Sequence, residues 1–420
     1  MGYHTTSVGK QYLLFDSISS VNPEGAEVFK QDLRNVFQHG IVDYACIGEG
    51  IHTILNILEI LKGKCSPHSV NGIAFQTNET IYASESERLS LDDYPFPQRE
   101  EGFNPMSYYA TGRDYPFLLL TTANGCRFSC EYCSTGSMNY PGIRFRSIEH
   151  VIQELSEIKD KFHPNWPVPK IMMNITDEDF AASPARVIRL CNAIVQAGLN
   201  QFFEFNSFLD NISILGSHGE EMLGAMRRAG FVFSFIGIES TLDNALEGYN
   251  RPDQLSDRLL NIQLAIDKMA SNGLLYFGDH MIGYPTHTIQ DLELDYSNLF
   301  TLRRMHYAYF PILAPMPGTP LYWRVLTGEL GEGFLPGVTY DHLDANHQVL
   351  LVPGSGNIKG IRDDAVQGFF SRAEYGQDAE EAIRKDPSLL SFFGKMLGKV
   401  SRDYPENTRL RELAEKFIQK

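Results

Sequence analysis

Between about residues 116 and 315, short apolar runs alternate six times with stretches of helical period. That rhythm constrains the fold most, because parallel strands need a long crossover between them and a helix is the usual one. The runs are Phe117 to Thr122, Lys170 to Ile175, Gln201 to Asn206, Phe231 to Ile238, Leu274 to Ile282 and His306 to Leu313. After the first, Ser147 caps a helix with Val151, Ile152, Leu155 and Ile158 on one face. After the second, Ser183-Pro184 opens a helix that buries Val187, Leu190, Cys191 and Ile194 and stops at Gly198. Further helices are expected near 218–228, 255–271 and 286–301. Six units rather than eight predict an α/β fold with an open, partial (β/α)6 TIM-type barrel. Reactive groups in such barrels gather beyond the C-terminal ends of the strands.

The first run leads into Cys126-Arg127-Phe128-Ser129-Cys130-Glu131-Tyr132-Cys133, three cysteines spaced C-x3-C-x2-C. A structural zinc site needs a fourth ligand and usually two separated pairs, and a thioredoxin-like site needs only one C-x-x-C. Iron–sulfur cubes normally take four cysteines. Three thiolates on one tight loop suit such a cube and leave one iron open to a small molecule. Cys46, Cys65 and Cys191 are scattered. Cys191 falls on an apolar helix face, where a thiol packs as a small hydrophobe. Such usage fits a reducing compartment.

With its place after a first barrel strand, C-x3-C-x-aromatic-C resembles the signature of the radical S-adenosylmethionine (radical SAM) superfamily. The resemblance implies a [4Fe-4S] cluster on Cys126, Cys130 and Cys133, its open iron binding the amine and carboxylate of S-adenosylmethionine (SAM). It implies cleavage of SAM to methionine and a 5′-deoxyadenosyl radical that abstracts hydrogen from an organic substrate. An electron donor such as flavodoxin or ferredoxin and a small-molecule or biosynthetic-intermediate substrate would be the partners. Further motifs arrive in the family order. Thr176 to Phe180 resembles a D-D-x-F stretch offset by one, so either Asp177 or Glu178 faces the cofactor, unless the stretch is a solvated acidic turn. Glu204 and Asn206 share one side of a strand and stand where relatives bind the ribose hydroxyls, with a structural role as the alternative. Gly237-Ile238-Glu239-Ser240 resembles G-x-E-S, with Gly237 admitting close approach and Glu239 holding the cofactor or pairing with Arg251. Ile282-Gly283-Tyr284-Pro285 with Thr288 resembles the I-G-x-P-x-x-T segment where backbone meets adenine, and Pro315 to Pro320 the turn on the substrate side. Tyr132 is expected against the cluster or adenine, and Arg127 with Arg144 or Arg146 at the SAM carboxylate or at the surface. Asp279 and His280 interrupt an apolar strand and are expected as substrate-side polar groups.

Upstream, Val42 to Ile47 ends in Gly48-Glu49-Gly50, and a helix follows with Ile51, Ile54, Leu55, Leu58 and Leu61 on one face and Gly63 at its end. Val70 to Phe75 and Thr80 to Ala83 form a hairpin around Asn78-Glu79, and Asp92 to Pro97 a linker. This order resembles the last third of the cobalamin-binding domain that precedes many radical SAM enzymes, with Ile51 in place of the last residue of G-E-G-E. Gly2-Tyr3-His4-Thr5 resembles its G-x-H-x-T segment. The loop whose histidine ligates cobalt has no counterpart, and a doubly wound sheet cannot close on these strands alone. Cobalamin is therefore left open, as is a partner chain completing the domain. The expected units are 1–97, a remnant Rossmann-like cobalamin-binding-type domain with linker; 98–325, the radical SAM partial barrel; and 326–420, a mainly helical C-terminal extension.

With 36 Lys and Arg against 52 Asp and Glu, the net charge is −16 and no basic run stands out. That excludes non-specific nucleic-acid binding, which needs a positive face, and argues against methylthio-transfer to RNA. No apolar run reaches the roughly 18 residues of a membrane span and no signal-peptide pattern opens the chain, so a cytoplasmic protein is expected. Three functions remain: an enzyme of the cobalamin-dependent methyltransferase or cyclase lineage, a cobalamin-independent oxidoreductase or rearrangement enzyme, and an iron–sulfur subunit that needs a partner chain.

Overall fold

The computed structural model describes residues 3–5, 11–15, 37, 42–48, 50–78, 80–84, 89–99, 117–135, 142–162, 170–243, 245–247, 249, 257–331, 333–352 and 357–418. Gly2, Glu49, Glu79 and Arg251 lie outside the described residues.

The N-terminal part is a five-stranded sheet of β1 (Tyr3–Thr5), β2 (Gln11–Phe15), β3 (Tyr44–Ile47), β4 (Ile73–Thr77) and β5 (Thr80–Ala83), in that order. Only β2 and β3 are parallel; the other pairs are antiparallel. After β3, helix α1 (Gly50–Leu61) lays Ile57 and Ile60 on Cys46, Ile73 and Phe75. It stops at Gly63, whose φ of +73° suits a residue without a side chain.

The main sheet has six strands, all parallel, in the order β13-β12-β11-β10-β9-β6. The chain runs through it from β6 (Phe117–Leu120), and a short ribbon of β7 (Ala123–Asn124) and β8 (Arg144–Phe145) follows. Helix α2 (Ile148–Phe162) crosses to β9 (Ile171–Ile175), and α3 (Pro184–Gln196) to β10 (Phe203–Leu209). Helices α4 (Asn211–Leu215) and α5 (Gly219–Ala229) lead to β11 (Phe231–Gly237), α6 (Arg258–Ser271) to β12 (Leu275–Asp279), and α7 (Ile289–Thr301) to β13 (Met305–Tyr309). Leu155, Val187, Leu190, Met222, Ile262 and Leu299 from these helices share one core with Ile171, Met173, Phe203, Phe205 and Ile236 of the strands. Cys191 is fully buried in that core, and burial pushes its thiol far up. The expected open six-strand barrel is therefore present.

Several boundaries differ from those expected: β6 ends at Leu120 rather than Thr122, β12 at Asp279 rather than Ile282, and β13 at Tyr309 rather than Leu313. The third barrel strand starts at Phe203, because Leu199–Gln201 coils into a 3-10 turn after Gly198, and it continues to Leu209. Its C-terminal end is thus Leu209, not Asn206, and Asp210 follows it.

The C-terminal residues are helical, as expected: α8 (Pro320–Leu326), α9 (Ile358–Ser371), α10 (Tyr375–Lys385), α11 (Leu389–Asp403) and α12 (Thr408–Ile418). The segment leading into α11 lies near the N-terminal ends of the strands, where Asp386 pairs with Arg227 at 3.4 Å and Ser388 shares a surface recess with Lys170 and Asn200. From there Phe392 reaches into the barrel and stacks on Phe277 at 5.5 Å and on Phe233 at 6.3 Å. Among the described residues no helix is long and apolar enough to cross a membrane.

Candidate active site

The cysteine loop is anchored by side chains from several elements. At its root, Asp177, fully buried after β9, accepts hydrogen bonds from Thr122 N at 2.6 Å and Thr122 Oγ1 at 2.5 Å. Arg186 of α3 donates to the same Thr122, to Oγ1 at 3.2 Å and to the carbonyl at 3.0 Å. Burial pushes Asp177 up to about 6, opposed by the Thr122 hydrogen bonds and Arg186. Gly125 follows with φ +96°, and a Cβ there would collide with the carbonyl oxygen of Gly142. Only glycine fits.

Arg127, inside the motif, has Nε 3.0 Å from Asp179 and hydrogen-bonds Asp210 and Ser213 through Nη2. Burial and the neighbouring Asp210 push Asp179 up to about 6, against the pull of Arg127. Glu131 ties the far side: its N–H donates to Tyr249 O, its carbonyl accepts from Leu321 N, and its carboxylate meets Arg324 at 2.6 Å. Arg146 is spent on Glu154 and the Thr121 carbonyl, and Arg144 donates to the Leu89 carbonyl.

Cys126, Cys130 and Cys133 are half-buried and none forms a disulfide. Burial pushes Cys126 up to about 12; a hydrogen bond from Phe128 N opposes this, while Asp179, Cys130 and Cys133 add to it. Cys133 N donates to Cys130 O at 3.1 Å, and both cysteines pack against the same apolar cluster. Tyr132 is buried behind them in a cluster with Tyr249, Tyr284, Leu313 and Leu321, its ring edge-on to Tyr284 at 6.4 Å.

The acids expected at the mouth separate. Asp177 is the latch just described, whereas Glu178 is exposed and accepts a hydrogen bond from Gly125 N at 3.1 Å, one residue before the first cysteine. Glu204 stands at the N-terminal end of its strand beside Lys170 and Arg228, at the end of the barrel opposite the cysteine loop. Asn206 lies buried in mid-strand, paired in register with Asn174. Ile282 is fully buried, its N–H donating to Pro311 O and its carbonyl accepting from Leu313 N. Gly283 next to it has φ +90°, so it is the residue here whose backbone can meet a ligand closely.

Beyond β11, Glu239 is buried with φ +62°, an unusual conformation for a residue with a side chain. The turn that holds it is clamped on every side. Ile238 N and Glu239 N donate to Asp279 O at 2.8 and 2.9 Å. Asp295 of α7 accepts from Ser240 Oγ at 2.6 Å, Thr241 N at 2.7 Å and Thr241 Oγ1 at 2.5 Å. Arg258 of α6 donates to the carbonyls of Ile238 and Ser240 at 2.8 and 3.1 Å. No motif revealed Asp295 or Arg258; the one trace is a carboxylate at helical spacing between the buried Leu292 and Leu299.

Asp279 and His280, expected together, face opposite ways, as neighbours on a strand must. His280 turns outward, fully buried, with Nε2 3.4 Å from Asp295, and burial lowers its pKa. Asp279 turns inward, and burial, then the nearby Glu239, push it up to about 7. An acid raised on folding stabilises the fold below its unfolded value of 3.8, and that contribution drains away up to about pH 7. Asp177 and Asp179 act in the same direction up to about pH 6. Urea midpoints should therefore fall between pH 4 and 7, and Asp279→Asn should remove about 1 kcal/mol of the fall between pH 6 and 7. An unchanged slope in the variant would count against this placement of Asp279.

An open parallel barrel with its reactive groups beyond the strand ends belongs to the class that does its chemistry at the mouth. The family model described as the Radical SAM superfamily matches residues 120–297. The barrel thus carries a radical SAM domain match, and the chain is similar to enzymes of that superfamily. An uncharacterized methyltransferase of Pyrococcus horikoshii is 26% identical over 294 residues, 69% of this chain and 59% of the relative. The bacteriochlorophyllide d C-12(1)-methyltransferase of Chlorobaculum tepidum is 21% identical over 203 residues, 48% of this chain and 41% of the relative. This chain therefore spans only part of the length of these relatives. In fold, it superposes on the cobalamin-dependent S-adenosylmethionine radical enzyme OxsB with a TM-score of 0.64 at 14% identity, over 97% of this chain and 70% of OxsB.

Proposed function

We propose that Cys126, Cys130 and Cys133 hold a [4Fe-4S] cluster and that the barrel mouth binds SAM for reductive cleavage. One observation carries the reading: three thiols outside any disulfide share one loop clamped beyond the first strand of a parallel barrel. The donor set suits a cube, in which each sulfur takes a different iron; among the described residues no three His, Cys, Asp or Glu side chains converge on a single metal-ion position. Held by Cys126, Cys130 and Cys133, such a cluster, once reduced by an external donor, would supply the one electron needed for reductive cleavage of SAM to methionine and a hydrogen-abstracting 5′-deoxyadenosyl radical. The chain's own residues bind, orient and exclude water. Glu178 accepts the ammonium of SAM, Glu239 and Asp279 accept its ribose hydroxyls, and Gly237 and Gly283 bring backbone against the adenosine. Tyr132 shields the loop from behind. Asp295 and Arg258 keep Glu239 in place.

The test is anaerobic reconstitution of the full chain, reduction with dithionite and assay of 5′-deoxyadenosine; none formed would end the reading. Glu178→Gln should raise the Kd for SAM about tenfold, the loss of one charge-assisted hydrogen bond, with iron content unchanged. An unchanged Kd would remove Glu178 from the site.

The reading extends to the cobalamin-dependent methyltransferase and cyclase lineage. A cavity of about 740 Å³ lies between Gly50 and Ile51 of α1, the linker at Tyr94 and Phe96, and Leu118 and Leu119 of β6. Its size is that of a cofactor site, and its place beside the barrel opening suits a large flat cofactor such as cobalamin. Stoichiometric cobalt retained through gel filtration after incubation with hydroxocobalamin supports methyl transfer. No retention points to a cobalamin-independent oxidoreductase or rearrangement enzyme, and activity restored only by a second polypeptide points to an iron–sulfur subunit. The units 1–97, 98–325 and 326–420, a flavodoxin or ferredoxin as reductant and a cytoplasmic setting belong to the same proposal.

A further inference from the structure

The inner face of the barrel carries a surface that SAM binding does not use. Register places Phe208, Phe235, Phe277 and Tyr307 in one row across β10 to β13, and Leu119, Asn174, Asn206 and Phe233 in a second row from β6 to β11. The rings form a continuous wall. Phe208 stacks on Phe235 at 5.3 Å and 27°, Phe235 meets Phe277 edge-on at 5.7 Å, and Phe277 lies 5.3 Å from Tyr307.

Two members of this face are left uncovered above the wall, Phe208 at 38% and Tyr309 at 43%, while Leu119, 54% exposed, lies where the face meets the cavity beside α1. Large apolar side chains left bare in a concavity at the reactive end of a barrel mark a ligand surface. Below, Phe392 stacks on Phe233 and Phe277 and so covers the lower end of the wall, which makes the space above it a chamber in this reading.

A second observation points to a ligand. Asn174 and Asn206, side by side on paired strands, each bury an Oδ1 atom that has no hydrogen-bond partner. Buried acceptors are nearly always satisfied, and a small rotation of either amide would offer its oxygen to an N–H or O–H in the chamber. Neither row contains a lysine or arginine, and Glu178, Glu239 and Asp279 stand above it, so a phosphorylated or polyanionic molecule finds no counter-charge here.

We infer that this chamber binds the substrate, and that the substrate is a planar, mainly aromatic molecule with a hydrogen-bond donor on its edge. Its ring lies on Phe208 and Phe235 and its donor meets the Asn174–Asn206 pair. This deepens the radical SAM reading and rests on it. Aromatic rings gain offset stacking or edge-on contacts on such a wall, beyond what equal apolar area gives a saturated skeleton.

The experiment compares 2-naphthol with decahydro-2-naphthol, which has the same skeleton and hydroxyl without planarity, by calorimetric titration of the reconstituted full chain. 2-Naphthol should bind at least tenfold more tightly, Phe208→Leu should erase most of the preference, and Asn206→Leu should weaken 2-naphthol but not naphthalene. Phe208→Ser is the second variant, with thermal melting as the check that both remain folded. Equal binding of the two alcohols, or a preference untouched by both Phe208 variants, would overturn the inference. 5′-Deoxyadenosine formation in the same samples separates the two ideas. Cleavage of SAM without selective 2-naphthol binding removes the chamber alone. Selective binding without cleavage removes the radical reading and leaves the aromatic chamber standing as a binding site.

Discussion

Replacing Cys126, Cys130 or Cys133 with alanine should take the reconstituted protein from about four irons per chain to well below one and reduce 5′-deoxyadenosine to background. Alanine offers no ligand, and a cube already one cysteine short has nothing on the loop to replace it. The fold should survive, because none of the loop's anchors is a cysteine. Thr122 is held by Asp177 and Arg186, Arg127 by Asp179 and Asp210, and Glu131 by Arg324. Each variant should thus melt within a few degrees of the parent apoprotein while its visible absorption disappears. Iron retained at parental levels in any one variant, or zinc in place of iron in the parent, would contradict the assigned ligand set.

Asp177→Ala should be the most damaging single change away from the cysteines. It strips two hydrogen bonds from Thr122 and removes a negative charge that favours the buried guanidinium of Arg186. Removing the shared acceptor of two buried hydrogen bonds costs about 1–3 kcal/mol for each donor left unsatisfied. Because Thr122 is the root of the cysteine loop, iron loading should fall along with stability. Asp177→Asn keeps one acceptor oxygen and should lose only about 1–2 kcal/mol. Urea denaturation of the apoproteins, followed by iron analysis after reconstitution, measures both effects. A loss below about 1 kcal/mol for the alanine variant would show that Thr122 is held by something else.

The barrel was legible because its strands are apolar runs framed by well-marked helix starts and stops, such as Ser183-Pro184 and Gly198. The cysteine loop was legible because its chemistry lies within eight consecutive residues. Reading became unsafe where one residue decides which way a side chain points. Asp177 and Glu178 are adjacent, yet one is fully buried and the other exposed. The 3-10 turn at Leu199–Gln201 delays the third strand, which ends at Leu209 instead of Asn206 and leaves Glu204 at the far end of the barrel. The clamp on Glu239 could not be read at all, since Ser240 and Thr241 meet Asp295 only after the chain has crossed another helix and strand.

Phe392 lies about 260 residues along the sequence from the cysteines, yet its ring stacks on Phe233 and Phe277 inside the barrel. The depth available to a guest is consequently written far along the sequence from the residues that would do the chemistry. Lineages could exchange or retouch the tail and so change which molecules are admitted, while the sulfur loop and its supports stay as they are.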